Sequence, residues 1–111
     1  AMLPDASTPA DVLVAYFDED RLSDYLHLAA KLRAAGLAVE LFPEPKKLGQ
    51  QLKYADRRGF RAAIIAGSRD YDHGVVQVKD LVAGRQQEVS IDENASQIVA
   101  AVKSLLKSPS A

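Results

Sequence analysis

Cysteine and tryptophan are absent from this 111-residue chain, methionine occurs once and histidine twice. Without cysteine there can be no disulfide and no thiolate chemistry, which fits a reducing cytoplasm. The two histidines, His27 and His73, lie far apart and lack a cluster of partner ligands, so no metal site is expected. No apolar run approaches the roughly 20 residues of a membrane span, and no basic, apolar leader with a cleavage site is visible. A soluble, cytoplasmic protein is therefore expected. There is also no glycine-rich phosphate loop, no paired-histidine zinc motif and no nucleophile elbow. No catalytic constellation can be assembled from what remains.

What is present describes one ordinary domain. Hydrophobic residues make up 48% and charged residues 26%, with a net charge of −1, enough to build a single core. Residues 1–10 are small and polar with two prolines, and read as a linker or expression remnant. Residues 108–111 read as a frayed tail, which leaves 11–107 as the domain. The near-neutral total hides an uneven distribution. Residues 46–61 carry 6 basic and 1 acidic side chains, whereas residues 1–45 carry 3 and 8. One short, strongly positive stretch thus sits inside a mildly acidic chain.

The hydrophobic pattern predicts β-α-β-α-β followed by a hairpin and a last helix. Asp11 to Phe17 is a continuous apolar run, read as a buried strand. Asp18, Glu19 and Asp20 start a helix, where acids suit the positive end of the dipole. Its apolar positions Leu22, Tyr25, Leu26, Leu28, Ala29 and Leu32 lead to a stop at Gly36. Leu37 to Phe42 is a second strand, Lys46 to Arg58 a second helix ended by Gly59, and Arg61 to Gly67 a third strand. Ser68 to Gly74 reads as a polar turn. Val75–Val82 and Arg85–Ile91 are the two strands of a hairpin. Asp92 or Asn94 caps a helix whose apolar stripe is Ile98, Val99, Val102, Leu105 and Leu106. This predicts a three-layer α/β/α domain with a mixed five-stranded sheet and three helices.

The second helix carries most of the functional signal. At about 100° per residue, Leu48, Leu52 and Ala55 form a core stripe, and Lys47, Gln51, Tyr54 and Arg58 fall on the adjoining flank. Cations, an amide and a ring suit a nucleic-acid strand, by neutralising phosphate, offering donors and acceptors, and stacking on a base. The competing view is a solvated helix face with Tyr54 half-buried against the sheet. Gln77 and Lys79 alternate outward from Val76 and Val78, near Asp70 and Arg69. A carboxylate beside cations can discriminate bases, which phosphate contacts cannot. For Asp70, Asp72 and His73 plain turn chemistry is the alternative.

The same residues resemble a known family. Lys47 to Gly59 is similar to the KL-x-x-QLKYAD-x-x-G segment of histidyl-tRNA synthetases, Ala63 to Gly67 to that family's strand ending in Gly, and Gly74 to Leu81 to its G-x-V-x-VKDL strand. Asp11–Val14 and Leu32–Glu40 fit as well, so the likeness covers about residues 10–107. It implies the C-terminal anticodon-binding domain of these class II enzymes, which grips the anticodon stem-loop of histidine tRNA. A separate catalytic domain of the parent chain, which is also the main dimer contact, would use ATP and magnesium; the domain itself would be non-catalytic and need no cofactor. The resemblance further implies phosphate contacts from Lys47, Lys53, Arg57 and Arg58, and base contacts from Gln51, Tyr54, Asp70, Gln77 and Lys79. Relatives usually have Glu where this chain has the shorter Asp70, and Lys at the position of Gln50 or Gln51.

Two other function classes compete. Synthetase-like domains are reused as regulatory or interaction modules that do not charge tRNA, but such a module has no need for five net positive charges in sixteen residues. A small-molecule α/β module binding at the carboxyl ends of the strands lacks a phosphate-cradling loop.

Overall fold

The computed structural model describes residues 11–107; the expected linker and tail lie outside the described residues. The strands are β1 (Val12–Val14), β2 (Val39–Leu41), β3 (Ala62–Ile65), β4 (Val75–Asp80) and β5 (Arg85–Ser90). They form one sheet in the order β2-β1-β3-β4-β5. Burial falls from the centre of the sheet outward: β1 and β3 are buried throughout, whereas β4 alternates and β5 buries a single residue. β1 is parallel to both β2 and β3, and β4 is antiparallel to both β3 and β5. The helices are α1 (Leu22–Ala34), α2 (Leu48–Arg58), α3 (Ser68–Asp72) and α4 (Ser96–Lys107). The mixed five-stranded α/β arrangement is the one the sequence predicts.

Successive strand residues point to opposite faces, so each strand feeds two layers. On one face Val12, Val14, Ile64, Val76, Val78 and Val89 pack with Tyr25, Leu28, Ala29 and Leu32 of α1 and Ile98 and Val102 of α4. On the other face Leu13 packs with Ala55 of α2 and with Phe60, flanked by Phe42, Tyr54 and Leu81. Register places Leu13 beside Glu40 and Ala63, and Ala63 beside Lys79. Gln77 and Lys79 therefore share the face of α2. That face runs out through half-buried Gln77 and Lys79 to exposed Gln86 and Glu88 on β5.

The helix ends follow local chemistry. Gly59 closes α2 at φ 79°, a left-handed value that a Cβ disfavours. Asp92, not Asn94, caps α4, accepting from the Ser96 backbone N–H and hydroxyl. The hydrogen bonds to its carboxylate, first from the Ser96 hydroxyl, hold Asp92 below the usual carboxylate range. The acids after β1 form a separate 3-10 turn, Glu19–Arg21, with Asp18 Oδ1 accepting from Asp20 N at 3.1 Å.

The expected polar turn over Ser68–Gly74 is instead largely the short helix α3. Five residues are too few for a helix to form on propensity alone. Here the surroundings hold it. Asp70 Oδ2 accepts from Gly67 N at 3.2 Å. Arg21 Nε donates to Ser68 Oγ at 3.0 Å, and its guanidinium also pairs with Asp72 and Asp24. The Tyr71 ring stands edge-on to Tyr25 at 5.4 Å. Among the described residues there are thus four α-helices, where the sequence predicts three.

Candidate functional site

Gln51 is the first residue whose position departs from expectation. It is fully buried, the single polar or charged side chain so placed among the described residues. Oε1 accepts from Tyr16 N at 2.7 Å, and Nε2 donates to Tyr16 O at 2.6 Å and to Lys46 O at 2.9 Å. An amide saturated in this way cannot contact a base, so the role expected for Gln51 is corrected. It ties the end of β1 to the start of α2. The buried arc of α2 is centred on Gln51 and Ala55, with Leu48 and Leu52 only half-buried. The helical wheel places the core slightly too far round because it weights leucines over a polar residue.

Tyr54 is half-buried. Its ring meets Phe42 edge-on at 5.4 Å and Phe60 at 6.0 Å, and the Arg58 guanidinium lies 5.6 Å from its centroid. Its hydroxyl donates to Glu40, and that hydrogen bond, with burial second, raises the phenol above its ordinary pKa. Tyr54 therefore packs against Phe42 and Phe60 while staying half-buried, as the competing reading of the helix flank has it. Glu40 lies on edge strand β2, three strands from Gln77 and Lys79 on β4, roughly 14 Å away at normal strand spacing. The Tyr54 flank and the β4 surface consequently do not form the single patch that the sequence suggests.

The cations remain accessible but are strung out. Lys47, Lys53, Arg57 and Arg58 are all exposed. Lys47 stands at the start of α2 with no side-chain cap and no acid in the first turn; Arg57 and Arg58 stand in the last turn. Eleven helical residues separate the ends by about 16 Å.

A different grouping emerges at the carboxyl edge of the parallel strands. Phe17 and Glu19 follow β1, Lys46 and Lys47 follow β2, and α3 follows β3. Phe17, Glu19, Pro45, Lys46, Lys47, Leu48 and Gln50 line one open depression of about 670 Å³. Lys46 is paired only with Glu44, at 3.6 Å in an exposed setting where such pairs contribute little. Gln77 lies near this edge too, opposite Ile65, with Nε2 3.4 Å from Glu88 Oε1. Asp70 is half-buried and engaged at the start of α3, so plain cap chemistry explains its presence. Lys79 lies further along β4, beside Ala63.

Sequence reasoning therefore misses Phe17, Glu19, Lys46 and Gln50. Lys46 could have been found as the neighbour of Lys47. Phe17 reads as the last residue of a buried strand, and only the fold shows it half-exposed at an edge. Among the described residues no three His, Cys, Asp or Glu side chains could hold a metal ion, and no helix is long and apolar enough to cross a membrane.

Comparisons with known proteins agree on one kind of domain. A family model described as an anticodon binding domain matches residues 11–101. The chain is 53% identical over 88 residues to a histidine--tRNA ligase of Rhodopirellula baltica, covering 79% of this chain and 20% of that protein. It is 45% identical over 94 residues to one from Xanthomonas oryzae pv. oryzae, covering 85% and 20%. The crystal structure of histidyl-tRNA synthetase from Nostoc sp. PCC 7120 superimposes with a TM-score of 0.79 at 32% identity, over 87% of this chain and 21% of that chain. The RNA binding domain of threonyl-tRNA synthetase from Cryptosporidium parvum gives 0.76 at 12% identity, over 93% and 25%, a likeness of fold alone. The chain spans about a fifth of the length of the two ligases.

Proposed function

This chain belongs to the anticodon-binding domain family, and from that membership we propose that it reads the anticodon stem-loop of histidine tRNA for a histidine--tRNA ligase. The observation that carries the proposal is the exposure of Lys47, Lys53, Arg57 and Arg58 along the length of α2. Its length of about 16 Å suits successive phosphates of a strand better than one small anion. The phosphates run along this helix. The loop turns its bases over the carboxyl edge of the sheet, where Asp70 and Gln77 offer an acceptor and an amide, with Lys79 behind them. Phosphate contacts set position, and edge contacts set sequence preference.

The domain works by recognition and makes or breaks no bond. The catalytic domain of the parent, with its ATP and magnesium, attaches histidine, and two such chains form a dimer through that part. The cytoplasm is the compartment this role requires. Titration of the chain with a labelled histidine-tRNA anticodon stem-loop at two salt concentrations tests the proposal. Binding should fall steeply with salt. Equal binding of a scrambled loop would remove sequence reading, and no binding at low salt would remove RNA recognition. A regulatory module freed from tRNA would also fail to bind, so the same titration separates the two.

A further inference from the structure

We propose that Phe17 is a stacking platform for one unstacked base of the bound RNA loop. The proposal rests on the anticodon-binding role above and assigns a site within it. Three observations place a ring there in a fixed pose. First, Gly67 lies directly against Phe17: a Cβ built at residue 67 would meet ring carbons at 3.3 and 3.6 Å. Gly67 has φ −104°, which any residue adopts, so glycine provides space here and not conformational freedom. Second, the ring leans on Tyr25 at 6.4 Å and 54°. Tyr25 is itself fixed, fully buried and with its hydroxyl donating to Ala66 O at 2.7 Å. Third, Gln51 holds the neighbouring Tyr16 backbone on both its N–H and its C=O.

Half-buried Phe17 lines the depression shared with Lys46, Lys47, Gln50 and Glu19. A space of about 670 Å³ accommodates a nucleotide. Base stacking on an aromatic ring with cations beside it is the usual way a protein grips a single-stranded base. Two lysines at the rim suit the phosphate next to that base. Gln51 joins the halves of the site, because one side chain bonds both Tyr16 and Lys46. It acts as a positioning residue and does not touch RNA. The base is held by Phe17.

The test uses the full chain and a histidine-tRNA anticodon stem-loop carrying 2-aminopurine in the loop. Phe17→Leu keeps an apolar group over Gly67 and removes the π face; Phe17→Tyr keeps both. Circular dichroism and thermal melts establish that each variant is folded. The expected result is that Phe17→Leu weakens binding by about tenfold, leaves the salt slope unchanged and abolishes 2-aminopurine quenching. Phe17→Tyr should retain affinity and quenching. If wild type binds with a steep salt dependence but Phe17→Leu binds and quenches equally, the platform is refuted and RNA recognition stands. A single-stranded trinucleotide containing 2-aminopurine covers the remaining case. Quenching by wild type but not by Phe17→Leu, with no stem-loop binding, overturns anticodon recognition and with it the platform for a bound loop, and leaves Phe17 a site for single strands alone. No quenching by either probe overturns both.

Discussion

The two faces of the sheet are built from the same strands and end up with different chemistry. The face under α1 and α4 is closed by aliphatic side chains from every strand except β2, whose Val39 and Leu41 pack half-buried against it. The face under α2 has a small cluster of Leu13, Ala55 and Phe60, then continues as glutamine, lysine and glutamate. One face supplies stability. The other, with the carboxyl edge, is left polar, with charges of both signs. Even the core-facing stripe of the two helices differs: α1 buries Tyr25, Leu28, Ala29 and Leu32, whereas α2 buries Gln51 and Ala55.

This contrast can be broken most forcefully on the closed side. Ile98→Ala should lower unfolding free energy by about 2–5 kcal/mol in urea, through reduced burial and a residual cavity. The folded fraction should bind the stem-loop as wild type does. A smaller loss is expected across the faces, at Gln51→Leu. Tyr16 N–H and Lys46 C=O would lose their amide partner inside the protein, for a destabilisation of about 2–3 kcal/mol. Affinity should fall as well, because Phe17 and Lys46 are no longer held together. A variant as stable as wild type would show that the clamp contributes nothing.

On the open side the effects should invert. Lys47→Ala combined with Arg58→Ala should cost no more than about 1–2 kcal/mol of stability, lost from the Arg58 contact with the Tyr54 ring and from the α2 terminus. The salt slope of binding should flatten by about one for each phosphate no longer neutralised. An unchanged slope would remove these two residues from the interface. The smallest effect concerns the α4 cap. The folded state depresses the pKa of Asp92 below its ordinary 3.8, so its contribution to stability is present above that value and lost as pH falls through the lower folded one. Acid titration of Asp92→Asn should therefore show a shallower loss of stability below about pH 4 than wild type.

The fold is legible in the sequence because its signals are local. Apolar runs mark β1 and β3, alternation around Val76 and Val78 marks β4, and glycines mark the ends of α1 and α2. What escapes depends on distant partners. Helix α3 forms because Arg21, 47 residues before Ser68, reaches it. Gln51 looks like a surface amide until the backbone of Tyr16 is placed beside it. Tyr54 looks free until Glu40 arrives from an edge strand. The basic stretch is plain in composition, yet composition suggests a cluster of cations where the helix spreads them along its length. A wheel gives angle and discards height, and height decides which cations share a phosphate.

The pairing of β1 with β2 stops after Val14 and Leu41, followed by backbone bonds from Phe42 N to Val14 O at 3.1 Å and from Lys46 N to Tyr16 O at 3.3 Å. The next rung of that ladder is the carboxamide of Gln51. With a primary amide standing in for a peptide group, the two backbones can diverge without stranding donors or acceptors in the interior. The two chain segments at that mouth are thereby tied to each other by the molecule's own scaffold before any guest arrives.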